Sequence, residues 1–173
     1  MKKMSVVVAI NLLALTVLTY AGRPWFGFQE GLSKAQKEHK HVVIDFYTDW
    51  CHWCKVMDQK TFSDPEVEKF LFEHFVPIRI NAEDASEKMT FQGKPFTARE
   101  LTRAFQVTGY PSIAFLTETS EILGVVPGYI EKDKFLNLLK YVQSECYKTN
   151  VSFDVFLKGG CKPVKQPAGK STK

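Results

Sequence analysis

The scarcity of certain residues narrows the chemistry open to this chain. It has four histidines and four cysteines in 173 residues. A zinc site needs four ligands. The close pair Cys51 and Cys54 supplies two, and the adjacent His52 points differently from its neighbours, so half a zinc site stays only as an alternative. Covalent haem attachment needs a histidine straight after the second cysteine of a Cys-x-x-Cys, and Lys55 stands there. There is no internal repeat. There is also no uninterrupted apolar run of the roughly 20 residues that a membrane span requires. The longest such stretch, residues 6–18, is broken by Asn11 and Thr16 and preceded by Lys2 and Lys3. With Thr19-Tyr20-Ala21 after it, this reads as a secretory signal peptide over residues 1–21, cleaved between Ala21 and Gly22; an uncleaved anchor is the alternative. No cysteine follows Ala21, which argues against a lipoprotein. The absence of a twin arginine points to export in the unfolded state. The mature protein is therefore expected in the periplasm or another extracytoplasmic space, where disulfides persist.

What is present suits one globular domain. Hydrophobic residues make up 45% and charged residues 24%, with fourteen Phe, six Tyr and three Trp to fill a core. The net charge is +4, and part of it lies in a tail: Lys158, Lys162, Lys165, Lys170 and Lys173 have no acidic neighbour after Asp154. Pro163, Pro167 and Gly169 among these lysines favour a solvated tail over a nucleic-acid or membrane contact. The expected divisions are a signal peptide (1–21), the main domain (22–145), a C-terminal helical extension (146–161) and a disordered basic tail (162–173).

Residues 22–28 read as an aromatic-rich linker and residues 30–40 as a polar helix. The apolar run Val42, Val43, Ile44, Phe46, Tyr47 reads as a buried strand. It ends at Trp50, and the Cys51-His52-Trp53-Cys54 motif opens a helix to about Lys60. Ser63-Asp64-Pro65-Glu66 marks the next helix, with Ser63 as cap and Glu66 completing a capping box. A strand over residues 75–80 follows, then a hairpin or irregular loop within 81–96. Thr97 to Glu100 is a second capping box. A hairpin spans residues 112–126, Gly128 breaks it, and an amphipathic helix spans residues 131–145. Ser152 caps a last short helix that ends at Gly159-Gly160. The order is a mixed α/β one: a central mixed sheet flanked by helices.

The Cys-x-x-Cys carries the chemistry. At a strand-to-helix junction the first thiol sits at a helix N-terminus, where N–H groups and the helix dipole favour the thiolate. The thiolate is the nucleophile of disulfide exchange, so a dithiol that cycles with a disulfide is the favoured reading, with a static bridge as the alternative. Asp45 lies inside the strand, where a buried carboxylate is costly without a role. It is a candidate proton acceptor from Cys54, through water, with a raised pKa. Pro111, after Gly109 and Tyr110, is a candidate cis proline that would leave the Tyr110 backbone open to a strand-like partner peptide, with an ordinary trans turn as the alternative. Four cysteines allow three pairings. Joining Cys146 to Cys161 would pin the extension to the main helix, while a second redox pair is the alternative.

Asp45, Trp50-Cys51-x-x-Cys54-Lys55, Gly109-Tyr110-Pro111 and Gly128 together resemble the thioredoxin superfamily in order and spacing, over about residues 30–142. The resemblance implies a thioredoxin-like fold, Cys51 as attacking and Cys54 as resolving cysteine, Asp45 as buried proton acceptor and Pro111 as cis proline. Thr61 to Val67 resembles the periplasmic domain of DsbD-type reductant transporters. Residues 91–101, Pro127-Gly128-Tyr129-Ile130 and residues 147–156 resemble SoxW-type exported thioredoxins. Cys-His-Trp-Cys departs from the Cys-Gly-Pro-Cys of cytosolic thioredoxin. A charged His52 would stabilise the Cys51 thiolate and make the protein more oxidising. Trp50, His52, Trp53 and Tyr110 are the expected substrate-binding residues, with Trp53 alternatively a packing residue. The expectation is an exported thiol–disulfide oxidoreductase, a monomer that reduces protein disulfides without a metal or organic cofactor. A membrane donor of the DsbD type would recharge it. Nucleic acid is not an expected partner. A disulfide oxidase or isomerase, or a non-catalytic peptide-binding module, are the alternatives.

Overall fold

The computed structural model describes residues 24–161. The expected signal peptide (1–21) and basic tail (162–173) lie outside them. The strands are β1 (His41–Tyr47), β2 (Phe75–Asn81), β3 (Lys88–Phe91), β4 (Lys94–Thr97), β5 (Ser112–Leu116) and β6 (Ile122–Pro127). The α-helices are α1 (Phe28–Glu38), α2 (His52–Met57), α3 (Pro65–His74), α4 (Ala98–Ala104), α5 (Lys132–Gln143) and α6 (Phe153–Gly159). Four strands form one sheet in the order β2-β1-β5-β6, and β3-β4 is a separate hairpin. β1 runs parallel to β2 and antiparallel to β5, so the sheet is mixed.

Apart from Asp45, the buried residues of β1 are apolar, because the strand is central and covered on both faces. Val42, Ile44 and Phe46 join the core cluster that contains Phe28, Met89, Phe91 and Leu101. Val43 joins the opposite cluster with Met57, Leu71 and Phe135. Asp45 shares the side of Val43 by strand alternation.

The segment expected to be a linker is part of the fold. Phe26 pairs with Ile78 along the outer edge of β2, its N–H donating to the Pro77 carbonyl at 2.9 Å and its carbonyl accepting from Arg79 at 3.1 Å. The backbone of Pro77 therefore faces the edge rather than β1, so its missing N–H costs the ladder nothing. Trp25 packs edge-on to Phe62 at 4.8 Å. α1 starts at Phe28, earlier than residue 30, and buries Phe28, Gly31 and Ala35. A Cβ on Gly31 would collide with the Ile78 side chain.

Helix starts follow side-chain capping, with one correction. Asp64, not Ser63, caps α3: its carboxylate accepts from Glu66 N–H at 3.0 Å and Val67 N–H at 3.3 Å, with Pro65 in the first turn. Ser63 instead ends the preceding turn, its hydroxyl donating to the Gln59 carbonyl at 2.6 Å. Either residue type can cap; Pro65 fits the first helical position, which places the cap one residue before it. The Thr97–Glu100 capping box is complete. The segment left open between hairpin and loop is a hairpin, turned by Gln92 and Gly93, both at positive φ.

At the C-terminal end, α6 buries none of its residues fully. It rests on Tyr141 through Phe153 and Phe156, at 5.6 and 5.4 Å between rings. A disulfide joins Cys146, fully buried, to Cys161. Tyr147 Oη lies 2.9 Å from His41 Nε2 and so ties the extension to the start of β1.

Candidate active site

β1 delivers the site. Leaving the sheet after Tyr47, the chain turns through Thr48, Asp49 and Trp50 and enters α2 with Cys51 as its N-cap. Cys51 and Cys54 are joined in a disulfide with Cα atoms 5.3 Å apart. Cys54 N–H donates to Cys51 Sγ at 3.0 Å, so the first sulfur occupies the acceptor position of a helix cap. After reduction, the same N–H and the helix dipole favour negative charge on that sulfur. Both cysteines are nearly buried, whereas Trp50 and Trp53 are exposed. Trp53 is thus not a packing residue of the core; it leans on Tyr129 at 5.5 Å and His52 at 5.7 Å.

α2 does not continue as a plain α-helix to Lys60. From Asp58 to Phe62 it widens into a π-helical turn, a feature frequent at functional sites. The wider turn brings Thr61 Oγ1 to the Ile130 carbonyl at 2.7 Å and Asp58 onto Arg79.

Asp45 is 1% exposed. Its Oδ2 accepts from Arg79 Nε at 2.9 Å and Nη2 at 2.8 Å. The two residues are direct partners in the parallel register of β1 and β2. Arg79 Nη2 also donates to Asp58 Oδ1, and its guanidinium lies 5.0 Å from the Trp25 ring, 5.1 Å from Tyr47 and 5.8 Å from Phe62. Burial pushes the Asp45 carboxyl up from 3.8 to about 6; the Arg79 charge and hydrogen bonds oppose that rise, and Asp58 adds to it. Asp45 Oδ1 has no partner among the described residues and is the oxygen open to a proton. A buried carboxyl titrating near neutrality can both hold and release a proton at working pH.

The Tyr110–Pro111 peptide is cis. Ser112 pairs with Phe46, which sets Pro111 at the β1 end that leads to the dithiol. The Tyr110 ring meets Trp50 edge-on at 6.2 Å, and the Pro111 carbonyl accepts from Gly128 N–H at 2.8 Å. The structure thus brings the motif loop (Trp50 to Cys54), the Tyr110–Pro111 turn and the Gly128–Tyr129 turn to one end of the sheet. Cys146 and Cys161 are not part of this cluster of contacts. Arg79 and Asp58 were absent from the sequence expectations. The one available signal was a lone cation, Arg79, in an otherwise apolar strand. Among the described residues, no group of His, Cys, Asp and Glu is placed to hold a metal ion, and no helix is long and apolar enough to cross a membrane.

Comparison with known proteins agrees with this geometry. The chain is 32% identical over 108 residues to the thiol:disulfide interchange protein DsbD of Haemophilus influenzae, a stretch that is 61% of this chain and 17% of that relative. It therefore spans only a small part of that protein's length. Among solved structures, it is similar to a thioredoxin from Thermus thermophilus (TM-score 0.57, 27% identity, covering 70% of this chain and 87% of that one). It is also similar to the C-terminal domain of Neisseria meningitidis DsbD in its reduced form (TM-score 0.50, 27% identity, 65% and 90% covered). The family model described as a thioredoxin-like domain matches residues 28–143, most of the chain, with both cysteines of the motif inside it. The protein belongs to the thioredoxin-like family.

Proposed function

We propose that this protein is exported and reduces disulfides of partner proteins, with Cys51 attacking and Cys54 resolving. The observation that carries the reading is the disulfide at the α2 N-terminus, with Cys51 Sγ as helix cap and the Asp45 carboxyl buried on the strand that leads to it. In the reduced protein the Cys51 thiolate attacks one sulfur of the partner's disulfide, and the other partner sulfur leaves as a thiolate. A mixed disulfide results. Cys54 then gives its proton to Asp45 through water and attacks the Cys51 sulfur, and the partner's second thiolate departs. The partner's disulfide has gained two electrons and the protein's dithiol has become the disulfide.

Trp50, His52, Trp53, Tyr110 and Pro111 receive the partner chain around the reacting sulfurs. A membrane donor of the DsbD type recharges the oxidised protein. The likeness to DsbD sequences, named for thiol:disulfide interchange, supports disulfide exchange. Export rests on the signal-peptide pattern of residues 1–21. The reduction potential of the mature protein tests the direction. A value near or below that of thioredoxin, about −270 mV, fits a reductase; a value near that of the oxidant DsbA, about −120 mV, contradicts it.

A further inference from the structure

Two of the large apolar side chains left most exposed flank the disulfide: Trp50 at 66% and Trp53 at 55%. Trp50 is held in place. Its indole N–H donates to Glu83 Oε2 at 2.9 Å, and its ring meets Tyr110. Asn81 ties the same corner together: its Nδ2 donates to Asp49 Oδ2 at 3.1 Å, and its Oδ1 accepts the Glu83 N–H at 3.1 Å. An aromatic face in solvent thus has Glu83 bonded at its indole edge, with the carboxylate of the preceding residue, Asp49, fastened to the same Asn81. The indole N–H is neutral, so its bond to Glu83 brings no opposite charge. Residues 81–87 carry three acids (Glu83, Asp84, Glu87) and no base, although the whole chain is at +4. Arg99, at the start of α4, is the cation that faces Tyr110.

We propose that the face of Trp50, with the carboxylates of Asp49 and Glu83, is a subsite for an arginine or lysine next to the reacting cysteine of the partner, so that the protein favours disulfides in cationic segments. The inference rests on the exchange reaction proposed above. A cation over an indole face is attracted by the ring quadrupole, and those carboxylates add Coulomb attraction that also steers encounter. Arginine suits the subsite best, since its planar group can stack on the ring and still donate to a carboxylate. Trp53 makes separate contacts, with Tyr129 at 5.5 Å and His52 at 5.7 Å.

The test uses the full mature protein, reduced with dithiothreitol and freed of it. It is mixed with a short single-cysteine peptide supplied as its disulfide-linked dimer. In three versions, the residues beside the cysteine are arginine, glutamine or glutamate. Two electrons pass from the protein dithiol to each dimer, which releases two peptide thiols. The arginine dimer is expected to react about tenfold faster than the glutamate dimer at low salt, with glutamine between them. The protein's overall positive charge would produce the opposite order, so a preference for arginine reports the local site. The ratio should shrink toward unity in the Asp49→Asn/Glu83→Gln double variant and at ~1 M salt, where screening acts within about 3 Å. Equal rates for all three dimers, or an unchanged ratio in the double variant, would overturn the subsite. If even the glutamine dimer is not reduced, the exchange reading itself fails, and the subsite with it.

Discussion

Asp45 and Arg79 face each other across two parallel strands; burial makes the carboxyl hold its proton, and Arg79 works against that hold. Folded Asp45 binds its proton more tightly than the unfolded chain does, with a pKa of about 6 against 3.8. Its ionisation therefore adds no cost to folding below the unfolded value. The cost grows as pH rises through the interval and reaches about 3 kcal/mol above the folded value. Arg79 opposes that rise, so Arg79→Gln should move the Asp45 titration upward by about one pH unit or more. Carbon NMR of the carboxyl across pH measures this directly; an unmoved or lowered midpoint would show that Arg79 does not set it. At this scale, the cysteines and Asp45 were legible in the sequence because each breaks the pattern around it. Arg79 breaks its pattern too, but its meaning depends on strand register, which local periodicity does not reveal. Asp58 looked like an ordinary polar helix residue; only the π-helical turn aims it at Arg79.

At the scale of elements, the strands and most helices follow from alternation, apolar spacing and caps. Thr97→Ala should cost about 1 kcal/mol, because the hydroxyl satisfies Glu100 N–H in a complete capping box. Urea unfolding would register the loss. Gly31 is a different case, since a glycine inside a helix normally weakens it. Here it lets α1 approach β2, and Gly31→Val should destabilise by about 1–3 kcal/mol through overpacking against Ile78. A neutral or stabilising effect in the same experiment would mean that α1 can shift outward freely. Two local readings differed from the structure for physical reasons. Ser63 and Asp64 are both good caps, and Pro65 decides between them. The stretch ahead of α1 looked like a linker because its apolar residues have no period, yet Phe26 pairs with a strand edge and Trp25 packs on Phe62 and Arg79.

For the molecule as a whole, the sheet gathers the dithiol, the buried carboxyl and the Tyr110–Pro111 turn at one end. The extension is fastened elsewhere, through Tyr141, Tyr147 and the Cys146–Cys161 disulfide. The cysteines of that disulfide are 15 apart in sequence, and a loop of that size contributes about 3 kcal/mol in the chain-entropy model. The Cys146→Ser/Cys161→Ser variant should therefore melt lower but still reduce a peptide disulfide at the wild-type rate. Loss of exchange in the folded variant would instead make this pair an electron relay. The central claim is that Cys51 is the attacking sulfur, and trapping tests it most directly. Reduced Cys54→Ala protein, mixed with a disulfide-linked peptide and examined by mass spectrometry, should accumulate a stable mixed disulfide at Cys51. A folded variant that forms no adduct, or a Cys51→Ala variant whose Cys54 is trapped as readily, would contradict it.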